Sequence, residues 1–304
     1  MSDNLSFFQK SSPFQKFLLL IGLYFLSLSF SQLGLALLFK GMGFDMNNAS
    51  MLTAASLQAN PTHVTMLKWM QIISALFSFL MPALLFSKAQ TEDWFSFIQT
   101  KLPRKSWSLL LAIPVLVSLY PLILRIGKWN EGLHFGAADK ILRDMEAQAA
   151  MLTEVFLDVH SIAGLIGNII IVGLIAALTE EFFFRGTLQR VLQLWLKDPH
   201  IAIWTTAILF SFLHMQFLGF FPRMLMGAVL GYTYYWTKSI WPSVIMHFVN
   251  NSTQVIDFYI SKNSQQKQWF DDHANTSVIM LISWTVAAGV LIYGLYRNRD
   301  VIKD

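Results

Sequence analysis

Two neighbouring carboxylates, Glu180 and Glu181, close an apolar stretch, Ser161–Thr179, that contains no Asp, Glu, Lys or Arg. Phe182, Phe183 and Phe184 follow them, then Arg185 and Gly186. So apolar a setting is not that of a solvated loop. A charge at the centre of a membrane helix costs about 2.5–3.5 kcal/mol to insert, so carboxylates placed there are functional suspects. Glu181 and Arg185 stand four residues apart and can pair on one helix face. Glu180 lies about 100° round the helix and can point elsewhere. Adjacent carboxylates repel in a low dielectric, and Arg185 relieves one of them. The arrangement can fix Glu181 as a structural anion and leave Glu180 as a general base. It can equally be an interfacial ion pair that only ends the helix.

Two histidines fall in other apolar stretches. His214 follows Phe210 by four residues, so the ring packs one turn from the imidazole. Taken alone, it also reads as a hydrogen-bonded packing group. His247 precedes Asn250 by three residues and Asn251 by four, so either amide can share its face. This polar trio is harder to read as packing, because each group needs a partner away from water. Glu as base, with His and Asn as orienters, oxyanion donors or metal ligands, can make a water-activating site. Other intramembrane chemistries fit poorly. No His is followed by Glu, so the HExxH zinc helix is absent. No Asp lies in an apolar stretch, which removes an aspartyl dyad, and there is no Cys nucleophile. A Ser–His pair stays open, although no Ser sits in a Gly-x-Ser context.

The elements that must position these groups follow from composition. The chain has 304 residues, 55% apolar and only 13% charged, with a mean hydropathy of +0.49. That is about half the usual share of charge, too little to cover a water-soluble surface. Soluble enzyme, disordered tail and disulfide-rich module are excluded. Aromatics at 14% suit lipid contact and interfacial belts. The net charge of +4 and pI near 9.2 read as basic cytoplasmic loops rather than nucleic-acid binding. Absence of Cys also excludes disulfides and Cys-based metal sites.

Cutting at charged residues leaves eight stretches: Phe17–Phe39, Trp69–Ser87, Ser106–Leu124, Ser161–Thr179, Ile201–Pro222, Met224–Thr237, Ser239–Ile256 and Thr276–Tyr296. A hydrocarbon core needs about 20 helical residues. The expected fold is all-α, a polytopic membrane protein with about eight transmembrane helices. The first stretch is too long for a signal-peptide core and reads as a retained helix. The sixth is short, and Arg223 and Lys238 at its ends can snorkel to the interface. Pro82, Pro114, Pro121 and Pro242 fall inside spans, which membrane helices tolerate. Gly227 and Gly231 form a small-xxx-small pair suited to close packing, or merely occur there. In the long loop 125–159, Ala138–Phe156 reads as an amphipathic helix on the membrane surface, with Ile141, Met145, Leu152 and Phe156 near one face.

The chain divides into N-terminal helices with the amphipathic helix, 1–160, a catalytic core, 161–260, and a C-terminal helix and tail, 261–304, all within one membrane domain. With the N-terminus inside, the inner segments hold 13 Lys and Arg and the outer ones 9. The bias places both termini in the cytoplasm, and the membrane expected is the plasma (inner) membrane.

Taken together, Glu180-Glu181-Phe182-Phe183-Phe184-Arg185, Phe210-Ser211-Phe212-Leu213-His214 and His247-Phe248-Val249-Asn250-Asn251 resemble the CPBP family of intramembrane proteases. That family joins the CAAX prenyl endopeptidases and the bacteriocin-processing or immunity (Abi-type) proteins. Its pattern is Glu-Glu-x-x-x-Arg, Phe-x-x-x-His and His-x-x-x-Asn. The resemblance covers about Glu180 to Asn251. It implies an eight-helix fold with an intramembrane cavity and endopeptidase activity on membrane-associated substrates. By position, Glu180 activates water, while Glu181 with Arg185 supports the site. His214, His247 and Asn251 stabilise the oxyanion or hold the water or a metal. The doubled Asn250-Asn251 leaves open which amide serves, and the family spacing selects Asn251. The cofactor implied is a divalent metal such as zinc, with His214 and His247 among its ligands. The same residues also suit a metal-free glutamate protease. The partners implied are membrane lipid and a protein or peptide substrate, with no nucleic acid. Two other functions compete: a transporter or channel using the buried Glu/His cluster, for which no inverted repeat is found, and a catalytically silent immunity or scaffold protein.

Overall fold

The computed structural model describes residues 7–41, 61–264 and 277–299. Thr276 and parts of the terminal segments used for the orientation count lie outside the described residues. The described residues form an all-α assembly with no strands. The long helices are α1 (Pro13–Gly41), α2 (Thr62–Gln90), α3 (Trp107–Glu131), α4 (Asp139–Leu157), α5 (Ile162–Leu196), α6 (Pro199–Phe212), α7 (Phe220–Thr237), α8 (Trp241–Ser264) and α9 (Val278–Arg297). Five of them, α1, α2, α3, α5 and α9, are long and apolar enough to cross a membrane. α6 is apolar but shorter. α7 and α8 carry the Arg, His and Asn that lower their hydropathy, and they lie inside the bundle.

Each apolar stretch overlaps a helix among the described residues, but the bounds differ: α2 starts earlier, at Thr62, α3 runs on to Glu131, and α5 continues to Leu196, so the pair Glu180–Glu181 does not end its helix. The fifth was expected to run through Pro222, but α6 stops at Phe212. Met215 takes a left-handed φ of 54°, and a short 3-10 turn, Phe217–Gly219, leads into α7. A turn of apolar residues is invisible to hydropathy when distant side chains satisfy its backbone. Here Asn130 does so: its amide nitrogen donates to the Phe217 carbonyl (3.0 Å) and its oxygen accepts from the Phe221 N–H (2.8 Å). Ser211 adds a bond to the Phe220 carbonyl. Pro242 is not mid-helix either. It lies in the first turn of α8, where its missing N–H has no intrahelical partner to lose.

α5 runs through the centre, and residues 176–189 are buried almost throughout. α1 and α2 pack on its second half around Phe183, Phe184 and Leu188. α6 and α7 form a hairpin against it, α8 packs on its first half, and α9 lies outside α3. Apolar burial gives little drive inside lipid, so close backbone approach and hydrogen bonds must hold the helices. Gly227 and Gly231 serve this. An added Cβ would stand 3.2 Å from the Ala207 Cα at the first and 2.9 Å from Ile203 Cγ2 at the second. The small-xxx-small reading therefore holds. Phe25, Phe30 and Leu37 on α1 and Ile279, Val286 and Val290 on α9 stay exposed, as a lipid-facing surface requires.

The amphipathic α4 covers Asp139–Leu157. Arg143 fastens its start, donating to Asp139 (2.8 Å) and to the Leu133 carbonyl (3.0 Å). The same hydrogen bond holds the Asp139 carboxyl below its ordinary value.

Candidate functional site

α5 widens into a π-helical turn, Phe184–Gln189, directly after the two glutamates. Such turns recur at functional sites because they re-aim side chains without ending the helix. Across this turn Arg185 Nη1 still donates to Glu181 Oε1 at 2.8 Å, as the i,i+4 spacing predicts. Arg185 Nη2 donates to the Gly227 carbonyl at 3.0 Å, and the guanidinium lies 4.7 Å from the centre of the Phe210 ring. Glu181 and Arg185 are both 0% exposed. Their opposite charges make that burial tolerable.

Glu181 Oε1 has a second partner that sequence spacing could not supply. His247 Nδ1, 66 positions away, lies 2.8 Å from it. A carboxylate oxygen only accepts, so Nδ1 carries the proton and, in the neutral ring, Nε2 is left with a lone pair. That Nε2 faces Glu180 Oε2 at 3.9 Å, too far for a direct hydrogen bond. Glu180 Oε2 is buried and has no protein partner. Two acceptors thus face each other across a gap. Glu180 is 9% and His247 5% exposed, so the pair lies near the edge of the buried cluster rather than in its depth.

His214 is not joined to this cluster by a hydrogen bond. It sits in the turn after α6, exposed, with Nδ1 2.7 Å from the Phe210 carbonyl. A carbonyl also only accepts, so His214 too is protonated on Nδ1. The Phe210 ring stands between the two histidines, its centre 5.0 Å from the His214 ring and 5.9 Å from that of His247. His214 lies within electrostatic reach of Glu180 and His247. Asn251 donates to the Val172 carbonyl at 3.0 Å, and Asn250 donates to Asn251 Oδ1 at 3.1 Å. The two amides therefore act as a linked pair on the first half of α5. Neither is hydrogen-bonded to Glu180, His214 or His247.

The structure brings Glu180, Glu181, Arg185 and His247 together and leaves His214 one aromatic ring away. Among the described residues no three His, Asp or Glu side chains converge as metal ligands. With both Nδ1 atoms committed, the donors that would remain to hold a divalent ion are Nε2 of His247, Nε2 of His214 and Glu180 Oε2. Sequence reasoning missed the carbonyls of Gly227 and Val172, which carry no side-chain signal. It also missed Asn130, a lone amide near the end of an apolar run, and it read Arg223 as a snorkelling residue.

Residues 162–253 match the family described as type II CAAX prenyl endopeptidase Rce1-like. Over 88 residues the chain is 32% identical to the uncharacterized protein YpbD of Bacillus subtilis (strain 168). That match covers 28% of this chain and 42% of YpbD, so the chain spans less than half the length of the curated relative it matches. No solved structure matches the chain.

Proposed function

We propose, from the match of residues 162–253 to the type II CAAX prenyl endopeptidase Rce1-like family, that the chain is an intramembrane endopeptidase. Its substrates are membrane-associated proteins or peptides, of the CAAX or the bacteriocin type. The observation that supports this most directly is the gap of 3.9 Å between Glu180 Oε2 and His247 Nε2, bounded by two acceptors.

A water seated beside that gap, within reach of both acceptors, donates one hydrogen to each. Glu180 takes its proton as the oxygen attacks the scissile carbonyl, then returns it to the leaving amine. His247 orients the water and is itself held by Glu181, which Arg185 neutralises. After their bonds to Val172 and to each other, Asn251 and Asn250 each keep one N–H to offer the oxyanion. His214, with its Nδ1 committed, offers Nε2 as a further acceptor on the open side. Run on these residues alone, the chemistry is that of a glutamate protease. The protein resides in the plasma membrane with both termini in the cytoplasm.

The test is hydrolysis of a farnesylated CAAX-type peptide by the detergent-solubilised protein and by Glu180→Gln. Removing a general base costs about 100- to 10,000-fold in rate. A Glu180→Gln variant that cleaves at the wild-type rate would end this reading.

A further inference from the structure

Besides Arg185, a second cation lies near the site. Arg223 sits in the first turn of α7 and is half-buried. Its Nη1 donates to the Gln216 carbonyl at 3.1 Å and its Nη2 to Gln216 Oε1 at 3.2 Å. Gln216 is two residues beyond His214, so these bonds pin the guanidinium beside the histidine's turn. Gly219 is part of the seat: a Cβ there would stand 2.6 Å from Arg223 Nη2. Glu180, Glu146 and His214 lie within electrostatic reach. Yet among the described residues no carboxylate forms an ion pair with Arg223.

A half-buried cation whose nearest carboxylates, Glu146 and Glu180, stay beyond ion-pair distance is costly unless a closer anion joins it. Five N–H groups belong to a guanidinium, and Gln216 takes two of them. Those on Nε and the second on each Nη remain. Their planar fork matches a carboxylate in two-point fashion. A phosphate would bring more negative charge against Glu180 and Glu146, whereas one carboxylate balances one guanidinium.

We infer that Arg223 anchors a carboxylate of the substrate on the open side of the site, beside His214. The inference rests on the endopeptidase reading and adds a recognition element to it. The carboxylate has two sources, the substrate's own C-terminus or an acidic side chain near the scissile bond. A docked anion here would also orient the chain past Glu180, as a fixed point beside the reacting carbonyl.

The experiment measures binding of a fluorescent farnesylated peptide to the full-length Glu180→Gln protein in detergent, where the peptide is not consumed. Three forms are compared: a parent with a free C-terminus and one internal Glu, its C-terminal amide, and its internal Glu→Gln version. One neutralised form should bind about 10- to 100-fold more weakly than the parent, the range expected for a charge-assisted hydrogen-bonded pair. Which form weakens identifies the source. Adding Arg223→Gln should abolish the difference, and Arg223→Lys should recover part of it. In the otherwise wild-type enzyme, Arg223→Gln should raise KM with a smaller change in kcat. If all three peptides bind alike, or none binds, the inference is overturned without any change at Arg223. It is overturned equally if the preference survives Arg223→Gln. Failure of the endopeptidase reading has a different signature, namely cleavage of the parent peptide that persists in Glu180→Gln.

Discussion

His247 Nδ1 donates to Glu181 Oε1 at 2.8 Å, across two helices and 66 positions of sequence. Glu181 is therefore more than the counter-ion of Arg185. It selects the tautomer of His247 and so decides what His247 Nε2 presents to Glu180. The ion pair and the reactive face are one construction, which makes their contributions separable by substitution.

The two glutamates should behave differently. Glu181→Gln keeps an acceptor for both donors but leaves Arg185, 0% exposed, as an unbalanced buried cation. Removing one partner of a buried pair costs about 3–5 kcal/mol. Lower thermal stability and yield are expected, with activity falling as a consequence, and Arg185→Gln should resemble it. The double change should recover part of the loss, since no unpaired charge remains. Glu180→Gln should melt near wild type while losing hydrolysis. Melting of all four proteins in detergent checks this. A stable Glu181→Gln beside an unstable Glu180→Gln would mean that the two roles are exchanged.

His247 offers a finer division. Asn places an N–H close to the position of Nδ1, whereas Gln reaches the position of Nε2. His247→Asn should keep the bond to Glu181 and melt near wild type, yet lose most activity because nothing faces Glu180. His247→Gln should give up the Glu181 bond and melt lower, by about 1–3 kcal/mol for a charge-assisted hydrogen bond. The melting temperatures of the pair decide the matter. If their order is reversed, the Nδ1–Glu181 bond is not the structural one.

Asn130 should control His214 at a distance. It bonds the Phe217 carbonyl and the Phe221 N–H, closing the connection that carries His214. Asn130→Ala would strand two backbone groups, at a cost of about 1–3 kcal/mol each if they stay buried. Asn130→Asp keeps the acceptor and loses the donor, so it should fall between. The expected pattern is a graded loss of activity that exceeds the loss expected from melting alone. Equal activity per folded molecule in all three proteins would show that the turn does not position His214.

Much of the architecture was legible in the chain. Runs without charge mark helices, because a membrane span cannot leave a charged side chain in lipid without cost. The Glu181–Arg185 pair was legible too, since four residues along a helix bring two side chains together whatever the surrounding fold. The sequence also marks Glu180, His214, His247 and Asn251 as polar groups among apolar neighbours, without saying which of them meet. Other features belong to the tertiary structure alone. The bond from His247 to Glu181, the Phe210 ring between the histidines and the seat of Arg223 on Gln216 join atoms on different elements. Their positions depend on how closely α6, α7 and α8 approach α5, which Gly227 and Gly231 permit but do not specify. Local spacing determines which side chains share a helix face, and only the packing of helices decides which atoms of those side chains meet.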